Sequence, residues 1–289
     1  MEYIKAIQKG EALLRDMDAC LADEENFYAW WLGQSGFLLQ WKGHRVLLDP
    51  YLSDSLTVKY LNTDQPHTRM TELVIQPGQL KNISIVTSSH NHTDHLDAET
   101  LVPILANNPD IHFLIPEANR RFVCDRVKCE EDFPVGLTDG ASKQIGVFTF
   151  HGIPAKHNEI ERDDKGRCIY MGYVIEFGPF RVYHSGDTLW FDQLVKLLKP
   201  FSVDLAILPI NGNFPERKVA GNLNTEEAAR LGKAIGARFV IPCHYDMFTF
   251  NTADVSEFEK VCDDIGQPYV TLQSGGRFEY SMARSLKTK

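Results

Sequence analysis

The sequence predicts an α/β fold. Three observations carry that expectation: a strand-dense stretch from Phe27 to Leu52, a regular alternation of apolar strands with helical patterns from residue 83 onward, and an amphipathic opening segment. Ile4, Ile7, Leu13, Leu14, Met17 and Leu21 have helical spacing, so a helix is expected at about residues 3–22. Trp30 to Gly33 and Gly36 to Leu39 read as strands, and Lys42-Gly43 reads as a turn before the strand Arg45 to Leu48. Asp49 to Gly78 has weak periodicity and reads as a long loop, a length that is uncommon unless the loop serves a site.

Ile83 to Thr87 is the next expected strand, and Asp97 is placed to cap a helix through Leu101 and Leu105. Strands follow at Ile111 to Ile115 and Val147 to Phe150. A hairpin joins Tyr173–Phe177 to Phe180–Tyr183 through Gly178-Pro179. Asp192 to Leu198 reads as a helix and Leu205 to Leu208 as a strand. Asn224 with Glu227 three residues on forms a capping-box pattern opening a helix to Ile235. Phe239 to Pro242 reads as a strand, Asp254 to Ile265 as a helix, and Tyr269 to Leu272 as the last strand. No repeat or low-complexity linker interrupts the pattern, so residues 1–289 are expected to form a single domain.

Composition narrows the function classes. With 289 residues, 43% of them hydrophobic, the chain can bury a core without disulfide or metal staples. Thirty Lys and Arg against thirty-nine Asp and Glu give a formal charge of −9, which argues against a nucleic-acid partner. The six cysteines form no C-x-x-C pair and read as reduced thiols of a cytoplasmic protein. No apolar run is long enough to span a membrane, and Met1 to Lys5 leads into charged residues rather than a signal core. A small-molecule substrate is the expected partner, and the reading is compatible with a homo-oligomer.

The chemistry concentrates in Ser89-His-Asn-His-Thr-Asp-His-Leu-Asp97. Side chains alternate along an extended run, so His90 and His92 point to one side and can grip one cation. Asp94 and His95 lie where the chain turns toward a helix, and can aim at a second point nearby. Imidazole with carboxylate suits Zn, Mn or Fe rather than Ca. Asp187 follows Ser185-Gly186 at the end of an apolar strand, where a tight turn exposes a carboxylate. His244 likewise follows an apolar strand.

These stretches resemble the metallo-β-lactamase superfamily through its H-x-H-x-D-H pattern. The resemblance is closest to the L-ascorbate-6-phosphate lactonase branch, which is related to N-acylphosphatidylethanolamine phospholipases. It rests on Trp30 to Gly36, His90 to His95, Tyr183 to Asp187, Leu208 to Gly212 and Val240 to Asp246. It implies an αββα sandwich of two mixed β-sheets flanked by helices, with the site at one edge. It further implies two divalent metal ions per chain, one on His90, His92 and His157 and one on Asp94, His95 and His244, with Asp187 shared. His151, six residues before His157, competes for the third place on the first metal. His157 is preferred because His151 adjoins an apolar strand. Asp49 is expected to orient the ligand loop, because ligating imidazoles need a partner on their other nitrogen.

Zn and Mn are the leading metals, with Fe as a third option. Two such ions can share a water and lower its pKa, so the implied reaction is hydrolysis. Asp94 is the expected proton shuttle and, with Asp187, the expected catalytic carboxylate. His184 and Tyr245 are further catalytic candidates beside the ligands. Arg69 is a candidate for binding a substrate phosphate or carboxylate. The implied activity is that of a lactonase acting on a sugar-phosphate lactone such as L-ascorbate 6-phosphate. The alternative is a phosphodiesterase or RNA-processing nuclease of the same superfamily. Glu161 to Arg167, rich in charge, reads as a solvated hairpin tip.

Overall fold

The computed structural model describes residues 3–281. In chain order the elements are α1 (Glu11–Ala19), β1 (Phe27–Gly33), β2 (Gly36–Trp41), β3 (His44–Leu48), α2 (Ser55–Tyr60), β4 (Ile85–Thr87), α3 (Ala98–Asn107), β5 (His112–Pro116), α4 (Arg120–Val127) and β6 (Val135–Leu137). There follow β7 (Ser142–Ile145), β8 (Phe148–Pro154), β9 (Met171–Phe177), β10 (Phe180–His184), α5 (Leu194–Leu198), β11 (Leu205–Pro209), α6 (Thr225–Ile235), β12 (Phe239–Cys243), α7 (Val255–Ile265) and β13 (Arg277–Tyr280).

Two mixed sheets result. The first has the order β13-β1-β2-β3-β4-β5-β6, antiparallel from β13 to β3 and parallel from β3 to β6. The second has the order β12-β11-β10-β9-β8-β7, parallel across β12, β11 and β10 and antiparallel beyond. Period-two alternation divides β1 between two cores. Phe27, Ala29 and Trp31 pack with the second sheet, while Tyr28, Trp30 and Leu32 face the layer of α1, α3 and α4. Such a strand is apolar on both faces, which explains its uninterrupted Phe-Tyr-Ala-Trp-Trp-Leu run. Residues of α5, α6 and α7 share the first core, so helices flank both sheets as expected of an αββα sandwich. Each wholly buried large side chain of that core, Phe27 and Phe37 among them, contributes roughly 1.5–3 kcal/mol.

The expected caps are in place. Asp97 accepts from the Thr100 amide at the head of α3, and Asn224 and Glu227 complete a reciprocal box on α6. Three expectations are corrected. The first helix spans only Glu11–Ala19, because Gly10 enters it at φ 54° and Ile4 instead bridges to Thr71. The loop from Asp49 to Gly78 contains α2 and then pairs with the chain after His244, Arg69 bridging to Phe248. Tyr269 to Leu272 makes a single bridge, Val240 to Tyr269, and the last strand is β13, whose Phe278 and Tyr280 point inward. All six cysteines are free.

Candidate metal centre

Every expected metal-ligating side chain stands just beyond the C-terminal end of a strand. The loop after β4 carries His90 to His95, and β8 leads to His157, β10 to Asp187 and β12 to His244. Strands of both sheets therefore deliver donors to one edge. At Gly186 the backbone has φ 57°, and a Cβ there would lie 2.6 Å from the Ser89 side chain. Only glycine lets β10 approach the histidine loop so closely, and this sets Asp187 beside it. His244 sits at φ 65°, in the left-handed region, where a residue with a Cβ carries strain of the kind often found at functional sites.

The donors fall into two adjoining groups, His90 with His92 and His157, and Asp94 with His95, Asp187 and His244, each group's ligand atoms lying within 4.8 Å of one another. His157 Nε2 lies 3.2 Å from His92 Nδ1. Asp187 Oδ1 is 3.3 Å from His95 Nε2, and Asp187 Oδ2 is 3.4 Å from His244 Nε2 and 3.7 Å from His157 Nε2. Asp187 thus reaches toward both groups. Asp94 Oδ2 lies 3.4 Å from His244 Nε2 and 3.6 Å from His95 Nε2. Donors around a tetrahedral zinc with bonds near 2.05 Å stand about 3.3 Å apart, so this set fits such a cation. Buried His90 Nε2, His95 Nε2 and Asp187 Oδ1 have no hydrogen-bond partner among the described residues, as donors turned toward an ion would.

The opposite ring nitrogens are anchored. His95 Nδ1 donates to Asp49 at 2.7 Å, and His157 Nδ1 donates to the Gly221 carbonyl at 2.7 Å. Each bond fixes the orientation of its ring and turns Nε2 toward the other donors. Asp49 also lies near His90 and His95 as a candidate donor, but its oxygens already accept from Thr87 Oγ1, the Ser89 amide and Ser89 Oγ. It holds the loop rather than facing the opening.

Burial keeps the His90 and His157 imidazoles below their usual range and holds His92 at about 4. Burial also opposes a charge on His95 and His244. The Asp187 and Asp94 carboxylates outweigh it, raising His95 well above its usual value and His244 to about 9. In return these imidazoles hold both carboxylates well below theirs against the effect of burial.

A cleft of about 500 Å³ opens over the two groups, lined by His92, Asp94, His157, Asp187 and His244. Among the other sequence candidates, His151 belongs to neither donor group. It lies within β8, bonded to Glu176 at 2.7 Å and packed on Phe201. Tyr245 donates to the Leu272 carbonyl at 2.7 Å and packs on Trp31, while His184 Nε2 donates to the Ser35 carbonyl at 2.9 Å. Both are buried and neither lines the cleft. His184 instead fixes the turn that carries Gln34. The Arg69 guanidinium is also spent inside the fold, on Asp54 Oδ1 at 2.5 Å, the Ser53 carbonyl and Met247 Sδ, over the Tyr51 ring. Arg162 and Arg167 pair with Asp139 and Asp163, as a solvated tip would.

Sequence reasoning missed Gln34, Lys59, Arg126 and Lys218. Gln34 Nε2 donates to Asp94 Oδ2 at 2.9 Å. The other three bring positive charge to the cleft lining. Arg126 Nη1 donates to the Asn91 and Leu96 carbonyls, clasping both ends of the ligand loop.

The two sheets and this histidine–aspartate edge define the β-lactamase superfamily, and residues 44–245 match the beta-lactamase superfamily domain. Within it the chain belongs to the UPF0173 metal-dependent hydrolase family. It is 30% identical over 248 residues to the member from Rubrobacter xylanophilus, covering 82% of this chain and 88% of that one. It is 26% identical to the member from Pyrococcus abyssi, over 86% of this chain and 97% of that one. Solved structures share the fold. Igni18, a metallo hydrolase from Ignicoccus hospitalis, aligns with a TM-score of 0.65 at 19% identity, over 89% of this chain and 99% of that one. An isothiocyanate hydrolase from Delia radicum gut bacteria aligns with a TM-score of 0.70 at 18% identity, over 88% and 99%. The protein is thus a metal-dependent hydrolase. Among the described residues no helix is long and apolar enough to cross a membrane.

Proposed function

We propose that the chain hydrolyses a small anionic metabolite, with a sugar-phosphate lactone such as L-ascorbate 6-phosphate as the leading substrate. The observation that carries this reading is the cleft lining, where Lys59, Arg126 and Lys218 surround the donor groups in a chain that is acidic overall. Among the described residues Lys59 Nζ bonds Thr93 Oγ1 at 3.3 Å and sits 5.1 Å from the Tyr60 ring centroid, and Lys218 pairs with the exposed Asp64 at 3.5 Å. Surface pairs of that kind are weak, so both ammonium groups are free to meet a phosphate. The cleft is of a size suited to a small ligand.

The donor set fits two divalent cations, Zn or Mn or else Fe, one on His90, His92 and His157, the other on Asp94, His95 and His244, with Asp187 between. Bound there, such ions supply an activated water and polarise the acyl oxygen. The chain's own groups do the rest. Water adds to the acyl carbon and the ring C–O bond breaks. Asp94, partly open to the cleft and steadied by Gln34, carries the water's proton to the departing ring oxygen, leaving an open-chain hydroxy acid. The cationic side chains hold the phosphate.

The test is turnover of a panel of sugar-phosphate lactones and phosphodiesters by protein reconstituted with each metal. Lactone hydrolysis is expected, and Asp94→Asn should reduce it by ~10²-fold or more at equal metal content. Lys59→Ala with Lys218→Ala should raise KM for phosphorylated lactones more than for neutral ones. Turnover of phosphodiesters or RNA alone overturns the reading.

A further inference from the structure

His67 is a buried titratable side chain that the metal centre does not use. It is 7% exposed, and it lines the cleft together with Asp94, Asp187 and His244. Its ring is clamped. Tyr60 stacks on it with centroids 4.4 Å apart, and Phe248 and Phe250 pack around it at 5.3 and 5.2 Å. Thr57 Oγ1 donates to its carbonyl at 2.6 Å.

One ring nitrogen is committed. Nδ1 lies 2.7 Å from the Gln65 carbonyl oxygen, which can only accept, so Nδ1 carries the hydrogen. Gln65 is itself tied down, its Nε2 donating to the Arg217 carbonyl at 2.9 Å. In a neutral ring so anchored, Nε2 is a bare acceptor. Burial lowers the basicity of this imidazole and favours that neutral form. Among the described residues none donates to Nε2. A rigid acceptor with no protein partner, set in a cleft over a metal centre, is built to receive a donor from a ligand.

We infer that His67 Nε2 accepts a hydrogen bond from a hydroxyl of the substrate and so selects polyhydroxylated substrates over plain ones. The inference rests on the lactonase reading given above. A pocket built to bond a substrate hydroxyl discriminates against the analogue that lacks it, because its own polar group is then left unpaired.

The experiment uses the zinc-loaded full chain and two lactones with the same five-membered ring, D-galactono-1,4-lactone with hydroxyls and γ-butyrolactone without. Wild type should show the higher kcat/KM on the galactonolactone. His67→Phe keeps a flat ring against Tyr60 and loses the acceptor, so the ratio of the two kcat/KM values should fall about tenfold. An unchanged ratio, including an equal loss on both lactones, overturns the inference and leaves the lactonase reading standing. Failure of wild type to hydrolyse either lactone, joined by no turnover of the phosphorylated lactones of the panel above, overturns the lactonase reading itself. A second measurement covers that case and any failure of the variant to fold. In 15N-histidine-labelled wild type, the product D-galactonate should shift the His67 Nε2 resonance while Nδ1 stays in place. An Nε2 signal that does not move at saturating product overturns the inference.

Discussion

The Asp49 carboxylate accepts the Nδ1 hydrogen of His95 at 2.7 Å, and both side chains are wholly buried. The same carboxylate takes the Ser89 amide and the Thr87 hydroxyl, so one residue after β3 sets the posture of the whole ligand loop. Asp49→Ala should weaken metal binding at the group containing His95 by 10–100-fold, as measured by competition with a chromogenic chelator. The donors it leaves unpaired should lower stability by about 1–3 kcal/mol for each buried group, read from denaturant melts of the metal-free protein.

Metal content distinguishes the two donor groups. Protein purified without chelator should approach two equivalents of transition metal per chain by elemental analysis. His92→Ala should mainly empty the group it shares with His90 and His157, and His244→Ala the group it shares with Asp94, His95 and Asp187. A chain that never binds more than one equivalent contradicts the two-ion arrangement.

Arg69 separates a substrate contact from a structural one. Its guanidinium is bonded to Asp54 and Met247 and its backbone bridges to Phe248, close after His244. Arg69→Ala should therefore lower the melting temperature, at a cost of about 1–3 kcal/mol, and leave the ratio of KM for phosphorylated and neutral substrates unchanged.

Asp23 gives a pH dependence far from the site. Burial opposes its charge, but the Tyr28 hydroxyl and the Asn26 and Glu25 amides together outweigh it, and its carboxyl is held down to about 2. A carboxyl lowered in the folded state adds stability above its unfolded pKa and loses it as pH falls through the folded one. Tyr28→Phe should thus melt earlier than wild type at pH 6. The gap should close between about pH 4 and pH 2.

How much of this was legible in the sequence follows from how local each feature is. His90 to His95 sit within one turn-forming loop, so their spacing alone points to a candidate cation site, and Asp97 announces the helix behind it. His151 pairs across to Val174 inside the second sheet and bonds Glu176, a setting that only register reveals. What stayed hidden depends on chain segments meeting from afar. Arg126 lies on α4, a short polar helix with little periodic signal, and acquires meaning only where it clasps Asn91 and Leu96. Gln34 lies in a tight turn at φ 52°, and nothing near it in sequence points to Asp94. Tyr269 to Leu272 has the composition of a strand and β13 has that of a polar tail. Pairing with β1 decides between them.

That pairing has a consequence for synthesis. β1 lies between β2, its immediate successor in the chain, and β13, which is made about 240 residues after it. While the chain is still on the ribosome, one side of Phe27 to Trp30 shows bare amides and carbonyls on an apolar ribbon. An open edge of that kind recruits strands from other nascent chains. A chaperone that shields β1 until Arg277 to Tyr280 are made would protect the protein without touching its chemistry.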